Sequence, residues 1–143
     1  MRRLTRFLRL PPAERALFLR AVCLVCAVRL ALWFLPSRTV LRGVLGLERP
    51  DGLSDRCHPV DRLAWAIRAA ARYVPRATCL TQALALQWLL VRSCRVSRLH
   101  LGAKKSPQGT LEAHAWVECE DRVVIGGPQV QEYVPLAAWK GRS

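Results

Sequence analysis

The segment ATCLTQALALQWLL (residues 77–90) decides the architecture of this chain, because it predicts a helix with almost no polar face. Thr78 is a residue type that commonly caps helix N-termini, so the helix should begin at Cys79 and continue to about Arg92. A helix with apolar side chains on most sides has to be buried on most sides. We therefore expect a central helix with the other elements packed around it.

Further helices are predicted before this segment. The sequence PPAE (residues 11–14) marks a helix start, since proline is tolerated in a first turn and glutamate suits the positive end of the helix dipole. This helix should end at about Phe34, and a short helix should follow over residues 37–45. Residues 47–57 are rich in turn formers and predict a linker. Apolar residues at helical spacing predict an amphipathic helix over residues 59–73.

The pattern becomes that of strands after the central helix. Residues 99–103 and 113–119 alternate between two faces, with a polar loop over residues 104–110 between them. A third strand is predicted over residues 122–125, and residues 134–139 should add another short element. Helices followed by a small antiparallel sheet make an α+β fold, and we expect the sheet to pack on the central helix.

Length and charge limit the classes of protein. The 143 residues fit one compact domain, within which we distinguish a basic and apolar helical region (residues 1–50) from a core (residues 51–143). The net charge is +13, and nearly all the positive residues are scattered arginines. A coding bias towards arginine explains this excess as well as an anionic partner does. Without a recognisable module or an aromatic–basic ladder, we expect no nucleic-acid partner.

The cysteines and the first predicted helix indicate the cellular compartment of the protein. No signal peptide is evident, so the six cysteines should be reduced thiols in a cytoplasmic protein. Cys23 and Cys26 have zinc-like spacing but no second pair, which favours two core thiols and no metal. Residues 16–35 are long enough to cross a bilayer, but Arg20 and Arg29 would each cost about 2.5–3.5 kcal/mol near its centre. A buried or membrane-surface helix is favoured over a spanning one.

Cys79 and His114 are the residues that we expect to do chemistry. The unpaired amides and the dipole at a helix N-terminus favour a thiolate and could stabilise an oxyanion, so Thr78 and Leu80 belong to the same neighbourhood. His114 lies on a predicted strand, which holds an imidazole rigidly against a thiol. His58, in a loop, and His100, on the solvent side of a strand, have weaker contexts.

Two motifs resemble a known family. ATCLTQAL (residues 77–84) looks like the nucleophile helix of the transglutaminase-like superfamily, and AHAWVE (residues 113–118) looks like its histidine strand. Together with AAARYVPR (residues 69–76), they resemble the lasso peptide biosynthesis B2 proteins, which are leader-peptide proteases. The resemblance implies a transglutaminase-like, papain-like core over roughly residues 63–139, with a weaker likeness near residues 10–15.

The resemblance also implies a reaction and partners. Cys79 would attack the bond between leader and core of a ribosomally made precursor peptide, His114 would relay protons, and water would release the acyl-enzyme. A small B1-type protein usually presents the leader, and a separate ATP-dependent lasso cyclase joins the released core amine to an acidic side chain. No cofactor is implied.

The third member of the family's triad is the point at which this sequence departs from the pattern. An aspartate is expected near position 126, where the chain has two consecutive glycines. The alternatives for holding His114 are a nearby side chain, a backbone carbonyl or water. Side-chain candidates are Glu118, Gln129, Gln131 and Glu132. Trp116, beside His114, is expected either to cover the core or to touch substrate.

Other functions compete with a leader peptidase. A transglutaminase-like acyl transferase would use the same nucleophile but pass the acyl group to an amine instead of water. A non-catalytic adaptor of a peptide-modifying complex would bind peptide and use Cys79 structurally. The sequence does not separate the first of these from a protease, because both begin with the same thioester.

Overall fold

The computed structural model describes residues 10–46 and 58–141. In these ranges four helices precede four strands. The helices are α1 (Pro12–Phe34), α2 (Ser37–Leu45), α3 (Val60–Ala71) and α4 (Cys79–Arg92), and the strands are β1 (Ser97–Lys105), β2 (Leu111–Cys119), β3 (Arg122–Ile125) and β4 (Val134–Lys140). A short 3₁₀ helix, Pro128–Glu132, joins β3 to β4. The predicted linker lies outside the described residues, and so does the predicted region boundary at residue 50, which stays a prediction.

The predicted helices are confirmed, with one small difference. Helices α1, α2 and α4 have the bounds that the sequence indicates, whereas α3 ends at Ala71, two residues earlier than predicted. Its last amides bond three residues back, from Arg72 to Ala69 and from Tyr73 to Ala70. Such tight bonds end a helix by using its free carbonyls, and Pro75 prevents its continuation.

The four strands form one antiparallel sheet in the order β3-β2-β1-β4. Leu99 of β1 pairs with Val117 of β2, and both side chains are completely buried. Gly102 of β1 is paired with His114 on one side and with Pro135 of β4 on the other. The sheet therefore has one face in the core, and His114 lies on its central pair of strands.

Helix α4 is central, as predicted. It contacts α1 and α3 on one side and β1, β2 and β3 on the other. Leu84, Leu86 and Leu90 have no exposed surface. Burying each such side chain stabilises the fold by about 1.5–3 kcal/mol, so α4 is fixed along its length. The chain is therefore an α+β protein with a small sheet on a central helix, as the sequence predicts.

Helix α1 has both a buried stripe and exposed apolar residues. Leu17, Ala21 and Val25 follow one another at helical spacing and are buried in the core. Trp33 and Phe34, at its end, are 73% and 79% exposed. Among the described residues, α1 is the one helix long and apolar enough to cross a membrane by length and composition, a test that core helices also pass.

Candidate active site

Cys79 is the first residue of α4, and Thr78 caps the helix. The Thr78 hydroxyl oxygen accepts a hydrogen bond from the Thr81 amide at 3.3 Å, and its carbonyl accepts one from the Gln82 amide at 3.1 Å. The first amides of a helix have no carbonyl one turn earlier to bind. The amides of Cys79 and Leu80 are therefore available to an oxygen of a ligand, next to a free, half-buried thiol.

A cleft of about 290 Å³ contains both predicted catalytic side chains. Helix α4 contributes Cys79 to its lining, and β2 contributes His114. The complete lining is Arg68, Cys79, Gln82, His114, Ala115, Ile125, Gly126 and Gly127. The structure thus brings to one cleft a helix N-terminus and a strand histidine that are distant in sequence.

A backbone carbonyl holds the ring of His114. Nε2 of His114 lies 2.7 Å from the carbonyl oxygen of Gly126. A carbonyl can only accept, so Nε2 carries the proton and donates it. In the neutral ring the lone pair is then on Nδ1. This tautomer leaves Nδ1 able to accept a proton, as a general base must. Gly126 therefore acts through its backbone at the position where the family pattern places an aspartate side chain.

Trp116 explains why residue 126 is a glycine. A Cβ atom at position 126 would lie 2.3 Å from the Cβ of Trp116, and the backbone there has a φ of +120°. Both the contact and the dihedral exclude an ordinary side chain. The chain passes so close to β2 that its carbonyl, and not a carboxylate, reaches the imidazole.

The four side chains predicted as alternatives for holding His114 lie elsewhere. Glu118 accepts from the Trp116 indole at 3.4 Å, and its other oxygen is 3.1 Å from Nε2 of His100. Glu132 accepts from Lys104 at 2.8 Å. Gln129 and Gln131 are exposed on the 3₁₀ helix. None of these four is hydrogen-bonded to His114 within the part of the chain that the structure describes.

Stacked rings cover the outer face of the sheet. The rings of Trp116 and His100 are nearly parallel, with centroids 5.3 Å apart, and Trp116 is only 4% exposed. This packing places Trp116 in a side-chain layer and outside the residues that line the cleft. The prediction that His100 faces solvent is wrong, because Trp116 covers it and leaves its side chain 14% exposed.

Three residues near the site were not anticipated from the sequence. Gln82 lines the cleft one turn after Cys79, and helical spacing could have indicated it. Arg68 reaches the cleft from α3 and donates to the Val124 carbonyl at 3.5 Å. Tyr133 stacks on His114 with ring centroids 4.9 Å apart. The last two depend on tertiary packing, which no local pattern reports.

The described residues contain no group of three or more histidines, cysteines or acids that could hold a metal ion. Cys23 and Cys26 lie on α1, where Cys23 is exposed and Cys26 is half-buried. The prediction of two core thiols is therefore wrong for Cys23, which lies on the exposed side of α1.

The sequence also matches a protein family. The sequence model of the transglutaminase-like superfamily matches residues 22–138. No curated protein and no solved structure matches the chain. The family match extends from α1 to β4 and includes the whole cleft. Because it covers well over half of the sequence, this chain belongs to the transglutaminase-like superfamily.

Proposed function

We propose that this protein is a cysteine peptidase that removes the leader from a ribosomally made lasso peptide precursor, with Cys79 as nucleophile and His114 as general base. Membership of the superfamily suggests cysteine protease or acyltransferase activity. The observation that carries the proposal is the shared cleft, whose lining includes both a helix-terminal thiol and a histidine held by a backbone carbonyl. The motifs at residues 77–84 and 113–118 support the narrower reading as a leader peptidase.

The first step is proton transfer from the thiol. With Nε2 bonded to Gly126, Nδ1 of His114 accepts the proton of Cys79, and the sulfur attacks the scissile carbonyl carbon. The imidazolium then donates from both nitrogens. Its Nε2–H bond to Gly126 becomes charge-assisted and stronger, and Nδ1 returns its proton to the leaving amine.

The second requirement is a site for negative charge on the substrate oxygen. The free amides of Cys79 and Leu80 point out of the start of α4, where the helix dipole also favours an anion. Removing one such donor typically reduces kcat by about 10²–10³-fold. Water then hydrolyses the thioester, and His114 acts as base for that water as it did for the thiol.

Hydrolysis and acyl transfer share this thioester and differ in what attacks it. A peptidase yields a leader with a free carboxylate, whereas an acyl transferase yields a leader joined to an amine. The mass of the leader product separates the two activities directly.

The proposed partners follow from the same family reading. The precursor peptide is the substrate, a B1-type protein presents its leader, and an ATP-dependent cyclase receives the released core. A catalytic domain of 143 residues has limited surface for a long peptide, which favours such a presenting protein.

The test is cleavage of a precursor peptide with a B1-type partner, followed by mass spectrometry. Cys79→Ala should reduce cleavage at least about 10³-fold, because it removes the nucleophile. Cys94→Ala is the matched control, since Cys94 is a free and exposed thiol outside the cleft. Unchanged cleavage by Cys79→Ala would refute the proposed enzyme, because Cys79 would then not be the nucleophile.

A further inference from the structure

Tyr133 reaches the face of the His114 ring from the other side of β1. It follows the 3₁₀ helix and directly precedes β4. The two ring centroids are 4.9 Å apart and the ring planes differ by 30°. Gly102 lies between β2 and β4 and pairs with both strands. A Cβ atom there would be 2.8 Å from the Trp116 ring.

Tyr133 is itself held by a charged residue. Nζ of Lys104 lies 4.8 Å from the centre of the Tyr133 ring, a cation–π distance. The same Nζ donates to Glu132 at 2.8 Å and lies 3.8 Å from Glu112. The hydrogen bond to Glu132 raises the pKa of Lys104, so the cation persists at neutral pH. Lys104 therefore links β1 to the backbone segment that presents Tyr133.

We propose that Tyr133 is a positioning residue that fixes the plane of the His114 ring and so aims Nδ1 at the cleft. The proposal rests on the proposed function, in which His114 is the base. The bond from Nε2 to Gly126 fixes one atom of the imidazole but not the tilt of its ring; Trp116 stacks on the ring with centroids 6.3 Å apart, and Tyr133 is closer at 4.9 Å. Stacking on Tyr133 restricts that tilt, because parallel or offset rings attract and resist rotation out of the stack.

The neutral carbonyl makes this contact important. A carboxylate as the third residue of a triad would both orient the imidazolium and balance its positive charge. The Gly126 carbonyl, in contrast, offers only a dipole. A misplacement of a catalytic group by about 1 Å can reduce the rate by about 10²-fold. Ring packing therefore supplies orientation that the carbonyl alone does not.

The experiment compares Tyr133→Phe, which keeps the ring, with Tyr133→Leu, which removes it. One readout is kcat and KM in the cleavage assay, and the other is the alkylation rate of Cys79 by iodoacetamide, divided by that of exposed Cys94 in the same molecule. We expect Tyr133→Leu to lower kcat by about tenfold with KM within about twofold, and to lower the alkylation ratio towards that of His114→Gln. Tyr133→Phe should stay within about twofold of wild type in both.

Two results would overturn the proposal: a Tyr133→Leu variant with wild-type kcat and alkylation ratio, or a Tyr133→Phe variant as impaired as Tyr133→Leu. The second would assign the effect to the hydroxyl. If Tyr133→Leu does not fold, Tyr133→Met replaces it, because methionine is also apolar and lacks the ring; the same fall in the ratio is expected, and no change refutes the proposal. If wild-type protein cleaves no precursor, the proposed substrate fails, while the alkylation ratio still tests Tyr133.

Discussion

Replacing Gly126 by aspartate puts a carboxylate at the position of the family's third residue, yet the structure predicts damage. The new Cβ would lie 2.3 Å from the Cβ of Trp116, at a φ of +120°. Such a dihedral costs about 1–3 kcal/mol for a non-glycine residue. Forcing extra atoms into a packed region costs about 1–3 kcal/mol more. The sum, roughly 2–6 kcal/mol, is a large part of a typical stability of about 5–15 kcal/mol.

Thermal unfolding measures this loss. At about 3 °C per kcal/mol for a chain of this length, Gly126→Asp should lower Tm by roughly 6–18 °C. Gly109→Ala is the matched control, because Gly109 has a φ of +86° but its nearest contact for a Cβ is Lys105 Cε at 4.0 Å. Gly109→Ala introduces the backbone strain but not the steric clash, so its Tm should fall clearly less than that of Gly126→Asp.

The same variant tests the role of the Gly126 carbonyl. Moving the backbone away from Trp116 moves the oxygen that binds Nε2 of His114, so the alkylation ratio of Cys79 to Cys94 should fall by about tenfold. The reasoning is refuted if Gly126→Asp melts within about 2 °C of wild type and cleaves precursor as fast or faster. That result would mean that the site accepts a side-chain carboxylate after all.

Two smaller changes test the ends of the helices. Thr78→Ala removes the cap that accepts from Thr81 and should reduce the free energy of unfolding in urea by about 0.5–2 kcal/mol, whereas Thr78→Ser should retain most of it. Asp61 receives bonds from Arg122 at 2.7 and 3.1 Å, which lower its pKa. The pair therefore stabilises the fold above the ordinary aspartate pKa of about 3.9, and this stabilisation is lost as the pH falls through the lower folded value. Asp61→Asn should lower Tm slightly at pH 7 and not at a pH below both values; an equal decrease at both contradicts this assignment.

The fold could be predicted because its signals are local. The α4 segment has a cap at Thr78 and apolar residues on nearly every side, and the structure has the helix at the predicted residues. Alternation over residues 113–119 likewise predicts most of β2, which begins two residues earlier, and its inward Ala115, Val117 and Cys119 are buried, whereas Ala113 is exposed. Caps, glycines and periodicity act within a few residues, so they are readable without tertiary contacts.

The neighbours of His114 could not be predicted in the same way. Every residue has a carbonyl, so nothing in the sequence marks the one at Gly126 as a partner for an imidazole. Its position depends on how closely β3 passes Trp116, which is a tertiary distance. The contact of Tyr133 with His114 likewise depends on the sheet order, in which β1 lies between β2 and β4, and this order is also a tertiary arrangement. The sequence leaves a backbone carbonyl among the alternatives for holding His114, but it can name individual candidates only for side chains, such as Glu118.

In this site, several groups share the functions that a single carboxylate has in a catalytic triad. A carboxylate selects the histidine tautomer, orients the ring and compensates its positive charge. Here the Gly126 carbonyl selects the tautomer, and Tyr133 restricts the ring plane. Neither brings a full negative charge, so the imidazolium is stabilised less than in a triad. In the proposed mechanism we therefore expect transition-state stabilisation to come mainly from the oxyanion side, where the amides at the start of α4 and the cation of Arg68 in the cleft lining both favour negative charge.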